Sequence, residues 1–175
     1  MCIRDSTYTY DIGHPNRLAS VSDAATHTPQ TGVDEFIDLN TTGDDYSYDA
    51  NGNMTEDKNK GILIQYNHFN KPTLINFISG TNAGSSISFL YDASGTKLQK
   101  TVNDGSSIVS DYLNGFHYEN NDLEFFPHEE GRVVHEGNGV FHYEYTYSDH
   151  LGNARLTFTD TDQDGSIDSD PTSGE

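Results

Sequence analysis

The stretch "YSDHLGNARLTF", residues 147–158, decides between two interpretations of the chain. Asp149 followed by His150 is typical of a catalytic base beside the residue that orients it. Gly152 and Asn153 between two apolar segments are typical of a tight hairpin turn, because both residue types tolerate a positive φ. Neighbouring residues of a strand point to opposite faces, and no nucleophile is evident beside the pair. We therefore interpret the stretch as a hairpin in which Asp149 caps the turn and His150 packs or bonds locally.

The same turn phrase occurs five times along the chain. Each copy starts with Tyr, has Asp or Asn at the next position or the one after, reaches a Gly, Asn or Pro about four residues on, and returns to an apolar strand residue. Asp or Asn binds the backbone two residues on, which starts an Asx turn. The copies are "YDIGHPNRL" (10–18), "YDANGNMTE" (48–56), "YNHFNKPTL" (66–74), "YDASGTKLQK" (91–100) and "YSDHLGNARL" (147–156).

These phrases assign structural roles to their side chains. We predict that the tyrosine and the returning Leu or Met lie on the buried face, and that the Gly takes the positive φ of the turn. Arg155 is expected to pair with Asp149 or with an acid of a neighbouring strand, and either pairing fixes the strand register. The assigned turn residues are Tyr10, Asp11, Tyr48, Asp49, Gly52, Tyr66, Tyr91, Asp92, Gly95, Tyr147, Asp149, His150, Gly152, Asn153 and Arg155.

Alternation of apolar and polar residues predicts strands between these turns. It is clear in "ILIQY" (62–66), "ISFLY" (87–91) and "FHYEYTY" (141–147), where every second side chain is aromatic or aliphatic. No window carries the apolar spacing of an amphipathic helix. The sequence therefore predicts an all-β, antiparallel fold of repeated hairpins whose aromatic faces are buried.

The composition excludes several classes of function. The formal net charge is −19, with 9 Lys and Arg against 28 Asp and Glu, so nucleic acid is not an expected partner. No apolar run reaches the length of a membrane span. Cys2 is the only cysteine, which excludes an internal disulfide and a cysteine zinc site. The histidines lack the spacing of a zinc site. The 11 Tyr and 9 Phe supply enough burial to argue against disorder.

The chain divides into segments by pattern. Residues 1–7 contain "MCIRDS", which matches nothing downstream and is interpreted as a non-native leader; no secretory signal is visible in it. Residues 8–160 hold the hairpin repeats. Within them, residues 19–45 are polar and nearly without pattern, which predicts a long surface loop. Residues 160–175 are acidic and are interpreted as a loop or tail.

The acidic segment "DTDQDGSID" has the spacing of a calcium loop. Oxygen ligands at alternate positions wrap around one large cation, and Gly165 permits the sharp turn. Pro171 stands where a bidentate acid is expected, so the site competes with a second interpretation, a solvated acidic loop. Any binding would be weak, at about 10⁻⁴–10⁻³ M. The candidate ligands for Ca²⁺ are Asp160, Asp162, Asp164, Ser166 and Asp168.

The five phrases resemble the YD repeats of RHS (rearrangement hotspot) proteins, which are relatives of the teneurins and of the shell subunits of insecticidal toxin complexes. "DHLGNARLTF" (149–158) is similar to the signature that opens the RHS repeat-associated core region. "DYLNGFHYENNDLEFFPHEEGRV" (111–133) is similar to the segment before that signature in Bacteroidetes-type RHS proteins. Together the matches cover residues 8–18 and 46–160.

The resemblance implies a fragment of a β-shell that encapsulates or displays a C-terminal, toxin-like domain of a polymorphic toxin. The parent would be secreted or associated with the bacterial cell surface, and the partner of this chain would be the rest of that parent. The family's self-cleavage segment is not matched, so no catalytic residue is carried over. Two rivals stay open. One is a cell-surface carbohydrate- or protein-binding β module, and the other is a hydrolase, which lacks a nucleophile motif.

Overall fold

The computed structural model describes residues 6–23, 36 and 38–159. Within these residues every regular element is a β-strand. The prediction of an all-β fold of antiparallel hairpins is therefore confirmed. The strands are β1 (Ser6–Tyr10), β2 (Leu18–Asp23), β3 (Tyr46–Tyr48), β4 (Met54–Asp57), β5 (Ile62–Tyr66), β6 (Pro72–Phe77), β7 (Ser86–Tyr91), β8 (Lys97–Asn103), β9 (Ser107–Leu113), β10 (Phe116–Glu119), β11 (Asp122–His128), β12 (Gly131–Gly137), β13 (Val140–Ser148) and β14 (Ala154–Thr159).

The strands follow one another in space as they do in sequence. β1 and β2 form a two-stranded sheet, and β3–β14 form a twelve-stranded sheet ordered as in the chain. The fold divides into two compact units. The first contains the residues up to Leu90 together with Val102–Ser107, and the second contains Tyr91–Thr101 together with the residues from Ile108 onward.

β5, in the first unit, carries the alternation that the sequence predicts. Ile62 is buried and Ile64 is half-buried, whereas Leu63 and Gln65 are exposed. β5 pairs with β6 in antiparallel register, with Ile64 opposite Ile75. The pleat therefore directs one apolar row inward, as period-two alternation requires.

The predicted loop at 19–45 is wrong at its beginning. Residues 19–23 belong to β2, which pairs with β1 so that Val21 lies opposite Tyr8. Val21 is buried, and this one apolar anchor together with the β1 ladder is enough to make a short polar segment a strand. Residues 24–35 and 37 lie outside the described residues.

The second unit uses a different kind of hairpin between β9 and β13. Asn114–Gly115, Asn120–Asn121 and Asn138–Gly139 form two-residue connections in which both residues have positive φ. This is the backbone of a type I′ turn, which matches the twist of the strands it joins. At the start of β12, a Cβ on Gly131 would collide with the backbone carbonyl oxygen of Glu144, so the approach of β13 requires glycine there.

Candidate functional site

Four of the repeated phrases form one and the same Asx turn, at 49–53, 67–71, 92–96 and 149–153. In each, Oδ1 of the first residue accepts the backbone N–H groups of the third and fifth residues at 2.8–3.1 Å. The fourth residue has positive φ and is Gly in three copies and Asn70 in the other. The Asx-turn prediction is confirmed, since Asp49, Asp92 and Asp149 all act this way. The copy at Asp11 has a longer turn, in which Oδ1 accepts the Gly13 N–H at 2.8 Å and Oδ2 lies 3.1 Å from His14 Nδ1.

The turn hydrogen bonds act on the carboxylates as well as on the backbone. The side chain of Asn53 holds the pKa of Asp49 below its usual value of 3.8. The Ser94 hydroxyl does the same for the pKa of Asp92, and the backbone N–H of Asn153 for the pKa of Asp149. Donors that bind the charged form stabilise it, so these turns hold their Asp residues ionised.

Both oxygens of Asp149 are occupied by groups of its own turn. Oδ1 accepts the Leu151 and Asn153 N–H groups, and Oδ2 accepts Arg155 Nε at 2.9 Å. Arg155 Nη2 lies 2.6 Å from the same oxygen, so the predicted pairing of Arg155 is with Asp149. His150 is exposed beside them. The carboxylate therefore holds the turn to β14, the strand that follows it. This is the structural role that the sequence analysis assigned to Asp149.

Tyrosine hydroxyls connect successive repeats in the first unit. Tyr48 Oη donates to the Leu18 carbonyl oxygen at 2.9 Å, and Tyr66 Oη donates to the Met54 carbonyl oxygen at 2.9 Å. Leu18 and Met54 are the first strand residues after the preceding turn. Burial raises the pKa of both tyrosines, which keeps each hydroxyl a donor. We call these two hydrogen bonds the tyrosine ties.

The predicted burial of the repeat tyrosines holds for some copies and fails for others. Tyr48, Tyr66 and Tyr91 are half-buried, whereas Tyr10 and Tyr147 are exposed. Three half-buried tyrosines directly precede the Asp or Asn of the turn. In the last copy Ser148 is inserted, and because side chains alternate between faces, one extra residue turns Tyr147 to the opposite face. Tyr10 lies on the two-stranded sheet of β1 and β2.

Side chains also join neighbouring turns of the first unit. Asn70 Oδ1 accepts Asn51 Nδ2 at 3.0 Å and Asn53 Nδ2 at 2.8 Å. Arg17 Nη2 donates to the Asp49 carbonyl oxygen at 3.4 Å. The turns of the first three phrases are thus bound to one another, in addition to the ladders of their strands.

A buried carboxylate, missed by the sequence analysis, holds the end of the polar segment. Asp45 is 0% exposed. Its Oδ2 accepts the Val21 N–H at 2.7 Å, and its Oδ1 accepts Asn40 Nδ2 at 2.9 Å. Its own N–H donates to the Ala19 carbonyl oxygen. No local pattern distinguishes Asp45 from a solvated acid, because its partners are remote in sequence.

The second unit carries an aromatic face, made of Phe116, Phe126, Phe141, Tyr143, Tyr145 and Phe158. Successive rings are in contact, with Phe116 stacked on Phe126, Tyr143 on Tyr145, and Tyr145 on Phe158 at centroid distances of 5.1, 6.2 and 5.6 Å. The sequence predicts the aromatic row of 141–147 to be buried, and this is wrong for three of its four rings, since only Tyr145 is half-buried. Phe141 is 41% exposed, Tyr143 54% and Tyr147 68%.

The opposite face of β13 is the more covered one, which explains the reversal. Glu144 pairs with Arg132, whose guanidinium also lies 4.9 Å from the ring centroid of Phe125. His142 Nδ1 lies 3.1 Å from Glu136 Oε1. The side chains of His142 and Glu144 are only 15% and 20% exposed. Ion pairs and long side chains thus cover the polar row, while the aromatic row stays open.

The predicted calcium ligands Asp160, Asp162, Asp164, Ser166 and Asp168 lie outside the described residues. Within the described part of the chain, no group of three or more His, Cys, Asp or Glu side chains is arranged to hold a metal ion. The described residues also contain no helix long and apolar enough to cross a membrane.

No protein-family model matches the chain, and no curated protein matches its sequence. The resemblance to RHS proteins therefore rests on the repeated phrases and on the "DHLGNARLTF" segment themselves.

Proposed function

We propose that the chain is a non-enzymatic segment of an RHS/YD-repeat shell that encapsulates or displays a C-terminal, toxin-like domain of an exported bacterial protein. The observation that carries this proposal is the pair of tyrosine ties. Tyr48 and Tyr66 each bind the carbonyl group at which the preceding repeat returns to the sheet. Such a bond couples each hairpin to the one before it, which is what a wall built by repetition needs.

The way in which the repeats are stabilised also favours a role as part of a shell wall. Only three hydrophobic side chains of the described residues are buried, namely Val21, Ile62 and Val133, which are 5%, 8% and 6% exposed. A small buried core contributes little, since hydrophobic stabilisation scales with the apolar area removed from water. The repeats are stabilised by contacts between neighbours along the chain, as in other repeat proteins.

The edge of the sheet fits continuation by further repeats. β14 is the last strand in the sheet order, so its outer edge has no partner strand among the described residues. An unpaired edge presents a row of N–H and C=O groups to other chains. In a longer parent protein, another hairpin of the same kind would pair there.

A non-enzymatic role is favoured by the use that the structure makes of its carboxylates. Asp149 accepts hydrogen bonds from two backbone N–H groups, from the side-chain amide of Asn153 and from the guanidinium of Arg155. A carboxylate engaged in this way has no oxygen left to orient His150 as a base.

The test uses the parent protein, with this chain joined to its own C-terminal domain. Enclosure predicts that this domain resists protease while the shell is intact. Replacing Tyr48 and Tyr66 together with Ala should open the wall and make the domain sensitive. Tyr147→Ala, at an exposed tyrosine, is the matched control and should leave protection unchanged.

Two results would overturn the proposal. One is a parent reading frame with no further Tyr-Asp phrases upstream and no separate domain downstream. The other is a C-terminal domain that is cleaved at the same rate in the parent and in isolation.

A cell-surface carbohydrate- or protein-binding module is the second candidate. It is favoured by the exposed rings of the aromatic face, since exposed apolar patches of this kind mark interaction sites. Binding to a glycan array that is lost in Tyr143→Ala and Tyr145→Ala, with Tyr8→Ala as the control, would support it. Absence of binding to any glycan or surface protein would remove it.

A further inference from the structure

A groove opens in the second unit, at the turn between β11 and β12. Its volume is about 570 Å³. The turn reaches β13 through a hydrogen bond from the Thr146 N–H to the Glu130 carbonyl oxygen at 2.8 Å. The side chains that line the groove include those of Glu129, Glu130, Tyr145, Tyr147 and Phe158.

The lining combines aromatic rings with carboxylates. Tyr145 and Phe158 are stacked, with ring centroids 5.6 Å apart and planes at 22°. Tyr147 is exposed, and so are Glu129 and Glu130. The described residues that line the groove include no Lys or Arg. Ring faces carry partial negative charge and attract cations, and two neighbouring carboxylates add to this attraction.

We propose that this groove binds a cationic side chain, Lys or Arg, presented by a basic segment of a partner protein. Charge complementarity selects this occupant. The chain carries a net charge of −19, so basic partners are attracted to it from a distance. Within the groove, the stem of a lysine or arginine packs on the rings of Tyr147 and Phe158 while its charged end reaches Glu129 or Glu130.

The proposal is independent of the shell function, because every residue that lines the groove lies within one unit and none of them takes part in a tyrosine tie. A neutral sugar would stack on the rings and donate hydrogen bonds from its hydroxyls to a glutamate or a glutamine alike. Weakening of binding when Glu129 and Glu130 are replaced with Gln, which keeps an acceptor oxygen and removes the charge, therefore separates a cationic ligand from a carbohydrate.

The test titrates the full chain with Nα-acetyl-lysine methylamide and follows amide signals by two-dimensional NMR. Nα-acetyl-norleucine methylamide, which has a similar alkyl stem without the charge, is the neutral probe. The lysine probe should cause saturable shifts at residues 129–131 and 145–148. The norleucine probe should cause none.

Two variants and two matched controls assign the contributions. Glu129→Gln with Glu130→Gln should weaken lysine binding about fivefold. Glu119→Gln with Asp122→Asn removes the same charge at the β10–β11 turn, at the opposite end of β11, and should not. Tyr147→Leu should weaken binding about threefold. Tyr8→Leu, at an exposed tyrosine of β1 that does not line the groove, should not. All these positions are exposed, so the variants keep the fold, which their spectra without probe verify.

Three outcomes would overturn the proposal. The first is the absence of a saturable shift with the lysine probe. The second is equal weakening by the two double variants, which would mean that the probe responds to total charge alone. The third is an equal response to norleucine, or groove shifts with a glycan that persist after Glu129 and Glu130 are replaced.

Discussion

The turns at 49–53 and 149–153 have the same backbone and the same hydrogen bonds, yet they place their tyrosines differently. Tyr48 directly precedes Asp49, is half-buried and ties its repeat to Leu18. Tyr147 is separated from Asp149 by Ser148 and is 68% exposed. One inserted residue reverses the face of a strand while the turn itself is unchanged. The comparison shows that the turn and the anchor are separate devices.

The two turns also differ in what supports them. The turn at 49–53 is bound by the side chains of Arg17 and Asn70. It also lies beside β2, which Asp45 holds through the Val21 N–H. The second turn depends on the pair of Asp149 and Arg155, in which the Asp149 side chain is 14% exposed and the Arg155 side chain is 64% exposed. Buried polar groups are costly to leave without partners, whereas exposed ion pairs contribute little. The first region should therefore be the more sensitive to substitution.

The largest effect is expected from Asp45→Ala. The substitution leaves the Val21 N–H buried without its acceptor and should lower the free energy of unfolding by about 3 kcal/mol. Urea denaturation followed by circular dichroism measures it. Asp44→Ala, at the exposed neighbour, is the control and should change little. Equal losses at the two positions would contradict a specific role for Asp45.

A smaller effect is expected from removing one tyrosine tie. Tyr66→Phe keeps the ring and loses the hydrogen bond to the Met54 carbonyl oxygen, so the free energy of unfolding should fall by about 1 kcal/mol. Tyr147→Phe should leave it unchanged, since that ring is exposed. The same urea titration compares the two variants. If Tyr147→Phe proved as costly as Tyr66→Phe, the contrast between the two regions would be lost.

The smallest effect concerns acid. The folded-state pKa values of Asp49, Asp92 and Asp149 lie below the usual 3.8. Their contribution to stability is therefore present above pH 3.8 and is lost as the pH falls through the lowered values. The midpoint temperature of thermal unfolding, measured at a series of pH values from 7 downward, should fall once the pH is below 3.8.

Replacing all three aspartates with Asn separates charge from geometry. Asn67 already forms the same turn with an amide, so the triple variant should fold at neutral pH and show a shallower acid dependence. Asp122→Asn should keep the original dependence. An unchanged acid slope in the triple variant would mean that other carboxylates govern the response.

Much of the fold was predictable because its signals are local. Alternation in 62–66 and 87–91 identified strands, and the Asx turns followed from Asp or Asn with Gly or Asn three residues later. The pairing of Arg155 with Asp149 was one of two alternatives, since both residues flank the same turn. The segment 19–23 escaped prediction, because its strand character comes from the β1 ladder and from Asp45.

The sequence by itself determined the turns and the period of the strands, because their hydrogen bonds and alternation involve residues a few positions apart. Only the tertiary structure decided which face of each strand is covered. That choice depends on the side chains of neighbouring strands. On one face Arg132 covers Phe125, whereas on the opposite face the row that contains Tyr143 is exposed. It also decided the burial of Asp45, whose partner Val21 is 24 residues away and reaches it only after folding.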